Sequence, residues 1–273
     1  DTLEFGERFP TTYLRGRACW IRGLRKATGQ ADLVVLPQEN GALYTYPFLF
    51  RRLAGRRKPL VAYWGHGSYM GRPRGGSCRD LWKSFWVRHV DWWFAYTART
   101  TRILESAHFP LDRITVVNNA TDTSPLRKET DVRRKDSDAT FEHLFGCERN
   151  RLSRVGVFCG RLIPSKWIGF LLDSVLKIRE QLPEFYVTII GDGPLEPDVS
   201  AFCKENTWCK WIGATWGTDR ADYLAVADVW LNPGAVGLAV VDAFSVGLPL
   251  ATTNNGMHGP EICYLEHGRT GLI

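Results

Sequence analysis

Eight short runs of β-branched and other apolar residues recur along the chain, and segments with helical periodicity separate them. Strands that are apolar on both faces and alternate with helices are typical of parallel sheets covered by helices. One such helix is predicted near residues 168–178, where apolar residues recur at spacings of three and four. The pattern therefore predicts an α/β protein built on parallel sheets. The predicted strands are residues 32–37, 59–65, 91–97, 113–118, 154–160, 185–190, 228–232 and 249–253.

A charged stretch that is poor in large apolar residues divides these runs into two groups. It includes SPLRKETDVRRKDSDAT, a composition typical of a linker. The predicted organisation is a first unit over 1–122, a linker over 123–153 and a second unit over 154–273. Two doubly wound units joined in this way leave a cleft at the carboxyl ends of their strands, and the ligand is expected there.

The two ends of the chain suggest a fragment of a longer protein. The chain opens in a polar segment without Met at position 1, and it stops in an apolar run over 270–273 that resembles the start of a strand. The first unit is therefore expected to be incomplete at its start, and the second at its end.

The composition limits the class of protein and its partners. The chain has 273 residues, of which 44% are hydrophobic, and a formal net charge of +6. A basic chain favours acidic partners such as nucleotide phosphates, nucleic acid or an anionic membrane face. Nucleic acid is not predicted, because the positive charge is not gathered with aromatic residues on one strand face. The sequence predicts neither a signal peptide nor a membrane span.

The cysteines indicate a reducing compartment. Seven cysteines are scattered along the chain without a CxxC pair, so neither a disulfide framework nor a zinc site is predicted. A cytoplasmic location fits this pattern.

The segment 233–249, PGAVGLAVVDAFSVGLP, joins a predicted strand to an apolar helix through a Gly-rich turn. Free backbone N–H groups and the positive end of the helix dipole favour phosphate at such a junction, and Gly234 and Gly237 allow close approach. The alternative is a Gly-rich turn that only redirects the chain. Asp242 is the one acid on this helix and is a candidate acceptor for sugar hydroxyls.

Three more motifs follow strands of the second unit: GRLIPSK at 160–166, GDGP at 191–194 and TNNGMHGPE at 253–261. Together with PGAVGL, and in this order, they resemble the retaining, nucleotide-sugar-dependent glycosyltransferases of the GT-B fold, a family marked by a Glu-x7-Glu motif. The resemblance extends into the first unit through WGHG at 64–67, AYT at 95–97 and NNATD at 118–122.

This resemblance implies both a fold and a reaction. The implied fold has two Rossmann-like doubly wound parallel-sheet domains that face each other across a cleft. The implied reaction moves a hexose-type sugar from a nucleotide-diphosphate sugar to a glycan, lipid-linked or other hydroxyl acceptor.

Two cations suit the departing diphosphate. Arg161 and Lys166 lie five residues apart in the loop after a strand, where Arg can give a forked contact and Lys a point charge. The resemblance assigns both to the diphosphate, whereas without the neighbouring motifs solvated loop cations would be the favoured interpretation. With His66 they form the predicted catalytic set.

The predicted donor site departs from the family pattern. Asp242 stands where the family carries its second Glu, which binds ribose hydroxyls, or it is a structural acid on the helix. Gly234 stands where the first Glu would meet the transferred sugar. The motif is therefore degenerate, and a catalytically silent nucleotide-sugar-binding module is the alternative function. The predicted donor-binding residues are Gly160, Gly191, Gly193, Gly234, Gly237, Leu238, Ala239 and Asp242. For Gly191 and Gly193 a purely structural turn is the alternative.

The first unit supplies the remaining candidates. His66 lies between two glycines at the end of an apolar strand, where it can contact a sugar hydroxyl or phosphate oxygen; a structural histidine is the alternative. The basic loop 69–77 follows, and it is either an acceptor-binding loop, through Tyr69, Arg72 and Arg74, or a disordered connector. Asn118 and Asn119 are explained by hinge geometry without ligand contact.

The aromatic stretch 81–93 predicts a helix packed in the core. Its aromatic density, with Arg51, Arg52, Arg56, Arg57 and Lys58 nearby, also suits a peripheral membrane contact.

Retaining transfer proceeds either through a covalent glycosyl-enzyme or by front-face exchange. The covalent route needs a positioned carboxylate, and the sequence offers none clearly placed as a nucleophile. Front-face transfer is therefore the hypothesis. No metal or other cofactor is predicted, because no DxD-like carboxylate pair follows a strand near the phosphate site.

Overall fold

The computed structural model describes residues 6–14, 18–56, 58–67 and 78–273. Contacts within the chain divide it into two compact units, Asp1–Asn118 and Asn119–Ile273. Each unit contains a parallel sheet and its own hydrophobic core. The predicted α/β class with parallel sheets is confirmed.

The first unit holds a four-stranded parallel sheet in the order β3-β4-β5-β6, preceded by an antiparallel hairpin of β1 and β2. Because neighbouring strands follow one another in sequence, right-handed crossovers place their linking helices on one face. The core lies there, with Trp93 of the sheet packed beside Trp86 and Leu104 of the helices. The strands are Thr11–Leu14 (β1), Ala18–Ile21 (β2), Leu33–Pro37 (β3), Leu60–Gly65 (β4), Trp92–Ala95 (β5) and Ile114–Val116 (β6), and the helices are Leu24–Ala27 (α1), Tyr46–Leu53 (α2), Cys78–Val87 (α3) and Ala98–Ser106 (α4).

The second unit holds a six-stranded parallel sheet in the order β12-β11-β10-β7-β8-β9. The chain runs outward from β7 through β8 to β9, then returns to the other side of β7 and continues through β10, β11 and β12. The strand order therefore reverses between β7 and β10, the point at which open α/β sheets bind ligands. The strands are Arg154–Cys159 (β7), Phe185–Ile190 (β8), Cys209–Gly213 (β9), Val229–Leu231 (β10), Leu250–Ala251 (β11) and Gly271–Leu272 (β12).

The helices of the second unit cover both faces of this sheet with apolar stripes. α7 buries Ile168, Leu171, Leu172 and Val175, the predicted three-and-four spacing. α8 starts with Glu196 and a proline, and the Glu196 carboxylate accepts a hydrogen bond from the Gly193 N–H at 2.8 Å. The helices are Ser124–Arg133 (α5), Ser137–Phe145 (α6), Ile168–Gln181 (α7), Glu196–Glu205 (α8), Ala221–Val226 (α9) and Ala239–Ser245 (α10).

All eight predicted strands are present, and the apolar run at 270–273 contains β12. Two features were not predicted. The hairpin of β1 and β2 is short and largely exposed, and β9 is an edge strand in which Lys210 interrupts the apolar pattern.

The structure differs from the predicted linker over 123–153. Most of this stretch is helical and belongs to the second unit, because α5 and α6 pack on α9. Leu126, Thr130 and Phe141 are buried, and the Arg134 guanidinium donates to the Val246 carbonyl. Each of these helices is held by only a few buried side chains. The charged residues on the outer faces therefore dominate the composition of the stretch. The boundary between the units lies at Asn118 and Asn119.

The aromatic helix ends earlier than predicted. α3 stops at Val87, and Trp93 belongs to β5. Trp86, Val90 and Trp93 are buried in the core, whereas Trp82 and Phe85 are exposed. In the part of the chain that the structure describes, no helix is long and apolar enough to cross a membrane.

Candidate functional site

The loops that follow β7 and β10 meet at the switch point of the second sheet. The Ala235 N–H donates to the Ser165 carbonyl at 2.8 Å, and the Lys166 ammonium donates to the Ala235 carbonyl at 2.5 Å. A Cβ at Gly234 would lie 2.3 Å from the Lys166 carbonyl carbon and 2.4 Å from its Cα. Only glycine fits there, so the two loops form one rigid surface.

The motif at 253–261 braces this surface from the other side. The Thr253 hydroxyl donates to the Pro233 carbonyl at 2.7 Å, and the Gly259 N–H donates to the Val236 carbonyl at 2.6 Å. His258 accepts from the Val236 N–H through Nδ1 at 3.1 Å, and its Nε2 lies 2.6 Å from the Thr253 carbonyl. These partners define the neutral tautomer with the proton on Nε2. The backbone that precedes Gly237 is therefore held by hydrogen bonds within the second unit.

The start of α10 is different, because its first N–H groups are not used. Among the described residues, none accepts a hydrogen bond from the backbone N–H of Gly237, Leu238 or Ala239. Gly237 has open space where a Cβ would point. Amides at the start of a helix that lack partners favour an anion.

Lys166 contacts the loop that leads into α10, through its bond to the Ala235 carbonyl, and is partly buried. Desolvation by burial lowers the pKa of Lys166, and the negative form of the nearby Cys159 thiol opposes that shift. Its side chain also passes Gly160, where a Cβ would lie 3.7 Å from the Lys166 Cε. Lys166 is thus packed against its neighbours and is not a solvated loop cation. The Arg161 side chain is exposed and forms no ion pair within the described residues.

Gly191 and Gly193 are required by backbone packing. Their φ angles are 144° and 149°, and a Cβ on Gly191 would lie 1.9 Å from the Gly160 carbonyl oxygen. The Leu162 N–H donates to the Asp192 carbonyl at 2.7 Å. The GDGP motif is therefore a turn locked onto the loop after β7, and its contact with a nucleotide remains a prediction.

Asp242 has a partner that the sequence did not reveal. Its carboxylate pairs with Arg220 at 2.9 Å, and each side chain is 17% exposed. Arg220 ends the 3₁₀ turn Gly217–Arg220, and its guanidinium lies 3.6 Å from the Cys159 sulfur. Burial disfavours the charge on Arg220, but Asp242 and Cys159 outweigh burial and raise the pKa of Arg220. Burial also raises the pKa of the Cys159 thiol, which Arg220 counteracts.

Breaking this pair should cost stability in a way that depends on the partner. We expect Arg220→Met to lower the free energy of unfolding by about 2 kcal/mol, because it leaves the Asp242 carboxylate largely buried and unpaired; the residual exposure keeps this below the cost for a fully buried pair. The double variant Arg220→Met with Asp242→Leu should recover most of that loss. Urea unfolding of the wild type, both single variants and the double variant measures the coupling. Additive effects would contradict a coupled pair.

His66 follows β4 in the first unit, whereas every predicted donor-binding residue belongs to the second unit. Its ring meets Tyr96 edge-on, with 4.5 Å between ring centroids. The flanking glycines have packing reasons: a Cβ on Gly65 would lie 2.9 Å from the Gln38 Cβ, and Gly67 has a φ of 75°. Tyr69, Arg72 and Arg74, the predicted acceptor-side residues, lie outside the described residues.

The junction between the units has structural partners. The Asn119 amide donates to the Glu261 carboxylate at 2.6 Å, and the Tyr264 hydroxyl donates to the Asn119 carbonyl at 3.2 Å. Asn118 has a φ of 51°, a conformation that asparagine tolerates. Glu261 is buried. The hinge role of this pair of asparagines, without ligand contact, stays a prediction. Within the described ranges no group of three or more His, Cys, Asp or Glu side chains is placed to hold a metal ion.

Residues 153–273, which lie in the second unit, match the family model described as Glycosyl transferases group 1. The first unit lies outside that match.

Two curated relatives share part of the chain. One is an alpha-monoglucosyldiacylglycerol synthase of Acholeplasma laidlawii, 26% identical over 125 residues, which are 44% of this chain and 31% of that protein. The other is a sulfoquinovosyl transferase of Arabidopsis thaliana, 28% identical over 105 residues, which are 37% of this chain and 20% of that protein. The matched region therefore spans a third or less of either relative.

Solved structures agree on the fold over most of the chain. Anabaena HepE in complex with UDP is 17% identical, with a TM-score of 0.62, and the match covers 91% of this chain and 66% of that one. The lipopolysaccharide outer core galactosyltransferase WaaB is 16% identical, with a TM-score of 0.61, and the match covers 92% and 64% of the two chains. At these identities the likeness shows the GT-B fold.

Proposed function

We propose that the protein transfers a hexose-type sugar, with retention of configuration, from a nucleotide-diphosphate sugar to a hydroxyl group. The acceptor is a glycan, a lipid-linked saccharide or another alcohol, and no metal ion takes part. The observation that carries the proposal is the surface at the switch point, where the Lys166 ammonium reaches the loop whose following amides, at Gly237 to Ala239, have no partner within the described residues.

This surface suits a departing diphosphate. As the bond between the anomeric carbon and the β-phosphate oxygen breaks, negative charge grows on the diphosphate. A fixed ammonium, the exposed guanidinium of Arg161 and aligned amides stabilise that charge in place of water or a metal ion. His66 is proposed to contact the transferred sugar, and Tyr69, Arg72 and Arg74 are proposed to contact the acceptor.

The two positions at which the family carries Glu favour front-face transfer in this chain. Gly234 has no room for a side chain, and Asp242 is held by Arg220. Neither offers a free nucleophile for a covalent intermediate. In the proposed step the acceptor oxygen bonds to the anomeric carbon on the side that the diphosphate leaves, and a diphosphate oxygen takes the acceptor proton. The Asp242 carboxylate then remains for the ribose hydroxyls of the donor, oriented by Arg220.

A donor panel tests this function. UDP-, GDP-, dTDP- and ADP-sugars are compared by thermal shift, because a ligand at a hundredfold excess over its dissociation constant adds about 2.7 kcal/mol of stability. UDP-glucose is the first choice, because the HepE neighbour was crystallised with it. The stabilising donor is then incubated with acceptor alcohols, with and without EDTA, and released nucleoside diphosphate and the anomer of the product are measured.

We expect EDTA-resistant release of diphosphate and a product with the configuration of the donor. Stabilisation by a donor without any release would instead favour the catalytically silent binding module, which the missing first Glu of the family motif motivates. No stabilisation by any nucleotide sugar would contradict both functions.

A cytoplasmic location completes the proposal. All seven cysteines are free thiols, with Cys78 and Cys263 exposed, and free thiols persist in a reducing compartment.

A further inference from the structure

Helices α2 and α3 of the first unit carry several large apolar side chains that are exposed. Phe50, Trp82 and Phe85 are 52%, 42% and 39% exposed. Soluble proteins rarely leave several large aromatic rings together in water without a use for them. This set, called here the α2–α3 aromatic surface, comprises Phe50, Leu53, Leu81, Trp82 and Phe85.

The exposed rings are anchored by the core beneath them. Trp86, which is 3% exposed, has its ring centroid 5.2 Å from that of Phe50, 5.4 Å from that of Trp82 and 5.0 Å from that of Phe85. The Trp82 indole N–H donates to the Tyr46 hydroxyl at 2.9 Å. Because the polar group of Trp82 is satisfied within the protein, its outer edge is apolar. The surface is therefore held in one arrangement, with hydrocarbon facing outward.

The sequence that carries α2 and leads into α3 is basic. Residues 40–79 contain eight Lys and Arg residues and no Asp or Glu, and the next residue is the acid Asp80. Two of these cations have acidic partners, Arg52 with Asp91 at 2.8 Å and Lys58 with Asp32 at 3.7 Å. Arg56, and Arg88 at the end of α3, are exposed and make no ion pair within the described residues.

We propose that the α2–α3 aromatic surface docks on a bilayer that contains anionic phospholipids. Aromatic and aliphatic side chains insert to the level of the headgroups, while basic residues beside them attract the negative leaflet. Arg56 and Arg88, exposed and without an ion pair among the described residues, fit a uniformly negative plane better than a protein partner, whose surface carries both signs. This inference goes beyond the proposed transfer reaction and does not depend on it.

Vesicle sedimentation tests the inference on the chain as it stands. Vesicles of phosphatidylcholine alone are compared with vesicles of phosphatidylcholine and phosphatidylglycerol at low and high salt. We expect binding to the anionic vesicles, weakened by salt. Trp82→Ser should weaken it at least about tenfold through lost apolar burial, and Arg88→Gln about fivefold through one lost charge.

Two exposed tryptophans elsewhere give matched controls. Trp216 lies in the second unit and is 71% exposed, and Trp64 lies in the first unit on the strand β4 and is 46% exposed. Trp216→Ser and Trp64→Ser should leave vesicle binding unchanged. Should Trp82→Ser fail to fold by thermal melting, Leu81→Gln replaces it, since Leu81 is 66% exposed.

Three results would overturn the inference. They are equal binding to neutral and anionic vesicles, equal losses in the control variants, and a concentration-dependent dimer that Trp82→Ser abolishes while vesicles are not bound. The last result would assign the surface to a second copy of the chain. Thermal shift with donor sugars is run on the same variants, so a failure of donor binding is distinguished from a failure of membrane binding.

Discussion

Lys166→Ala is expected to lower turnover by about a hundredfold to a thousandfold, the usual cost of removing one stabilising donor from a developing negative charge. The structure gives a reason to expect the upper part of this range. The Lys166 ammonium donates to the Ala235 carbonyl at 2.5 Å, two residues before the unused amides at the start of α10. Its loss removes one charge from the diphosphate site and one support from the loop that presents those amides.

The measurement is steady-state release of nucleoside diphosphate with the donor that the panel selects. Arg161→Ala should lower turnover by a similar factor, but through charge alone, because the Arg161 side chain is exposed. Lys204→Ala is the matched control, since Lys204 is an exposed lysine on α8 of the same unit. If both Lys166→Ala and Arg161→Ala stay within a few-fold of the wild type, the proposed stabilisation of the diphosphate is wrong.

The pH profile gives a second test of Lys166. Burial lowers the pKa of this lysine, so its ammonium is lost at a lower pH than that of an ordinary lysine. Activity that needs the ammonium should therefore decline on the alkaline side earlier than an unperturbed lysine would allow.

The strands were predictable because each is a local pattern. The runs that became β7 and β8 are continuous and β-branched, and the sheet buries both of their faces. The linker prediction shows the limit of composition. α5 is charged on most of its surface, yet the two buried residues Leu126 and Thr130 are enough to dock it on the second unit. Which face of a charged helix is covered depends on residues far away in sequence.

In the candidate site, too, local motifs were predictable and contacts between distant residues were not. The cationic loop after β7 and the Gly-rich turn after β10 were visible as motifs that follow strands. The role of Arg220 was not visible in the sequence, because Arg220 lies 22 residues before Asp242 in a segment without a motif. Only the fold brings the two residues together. The use of His258 as a brace for Val236 was equally invisible.

The need for glycine at position 234 leads to the second large expected effect. Gly234→Ala should disrupt the donor surface, because the new methyl group would lie 2.3 Å from the Lys166 carbonyl carbon and 2.4 Å from the Ser165 carbonyl oxygen. Both contacts are with backbone, which cannot rotate away as a side chain can. The loops after β7 and β10 must then separate. We expect a loss of about 1–3 kcal/mol in the free energy of unfolding, as for other overpacked sites, and loss of donor-induced stabilisation.

Gly237→Ala provides the comparison within the same loop. Among the described residues other than its chain neighbours, none places an atom within 4 Å of the position that its Cβ would take, so this variant should keep its stability. Urea unfolding, measured on both variants, separates a steric effect at one glycine from a general need for flexibility in the turn. Equal behaviour of the two variants would contradict the close packing of Gly234 on Lys166. Gly234→Glu carries the same Cβ and the same clash, so it should restore no sugar contact: the family's first Glu is excluded here by the backbone of the neighbouring loop, and a protein that transfers sugar from this site must do so without it.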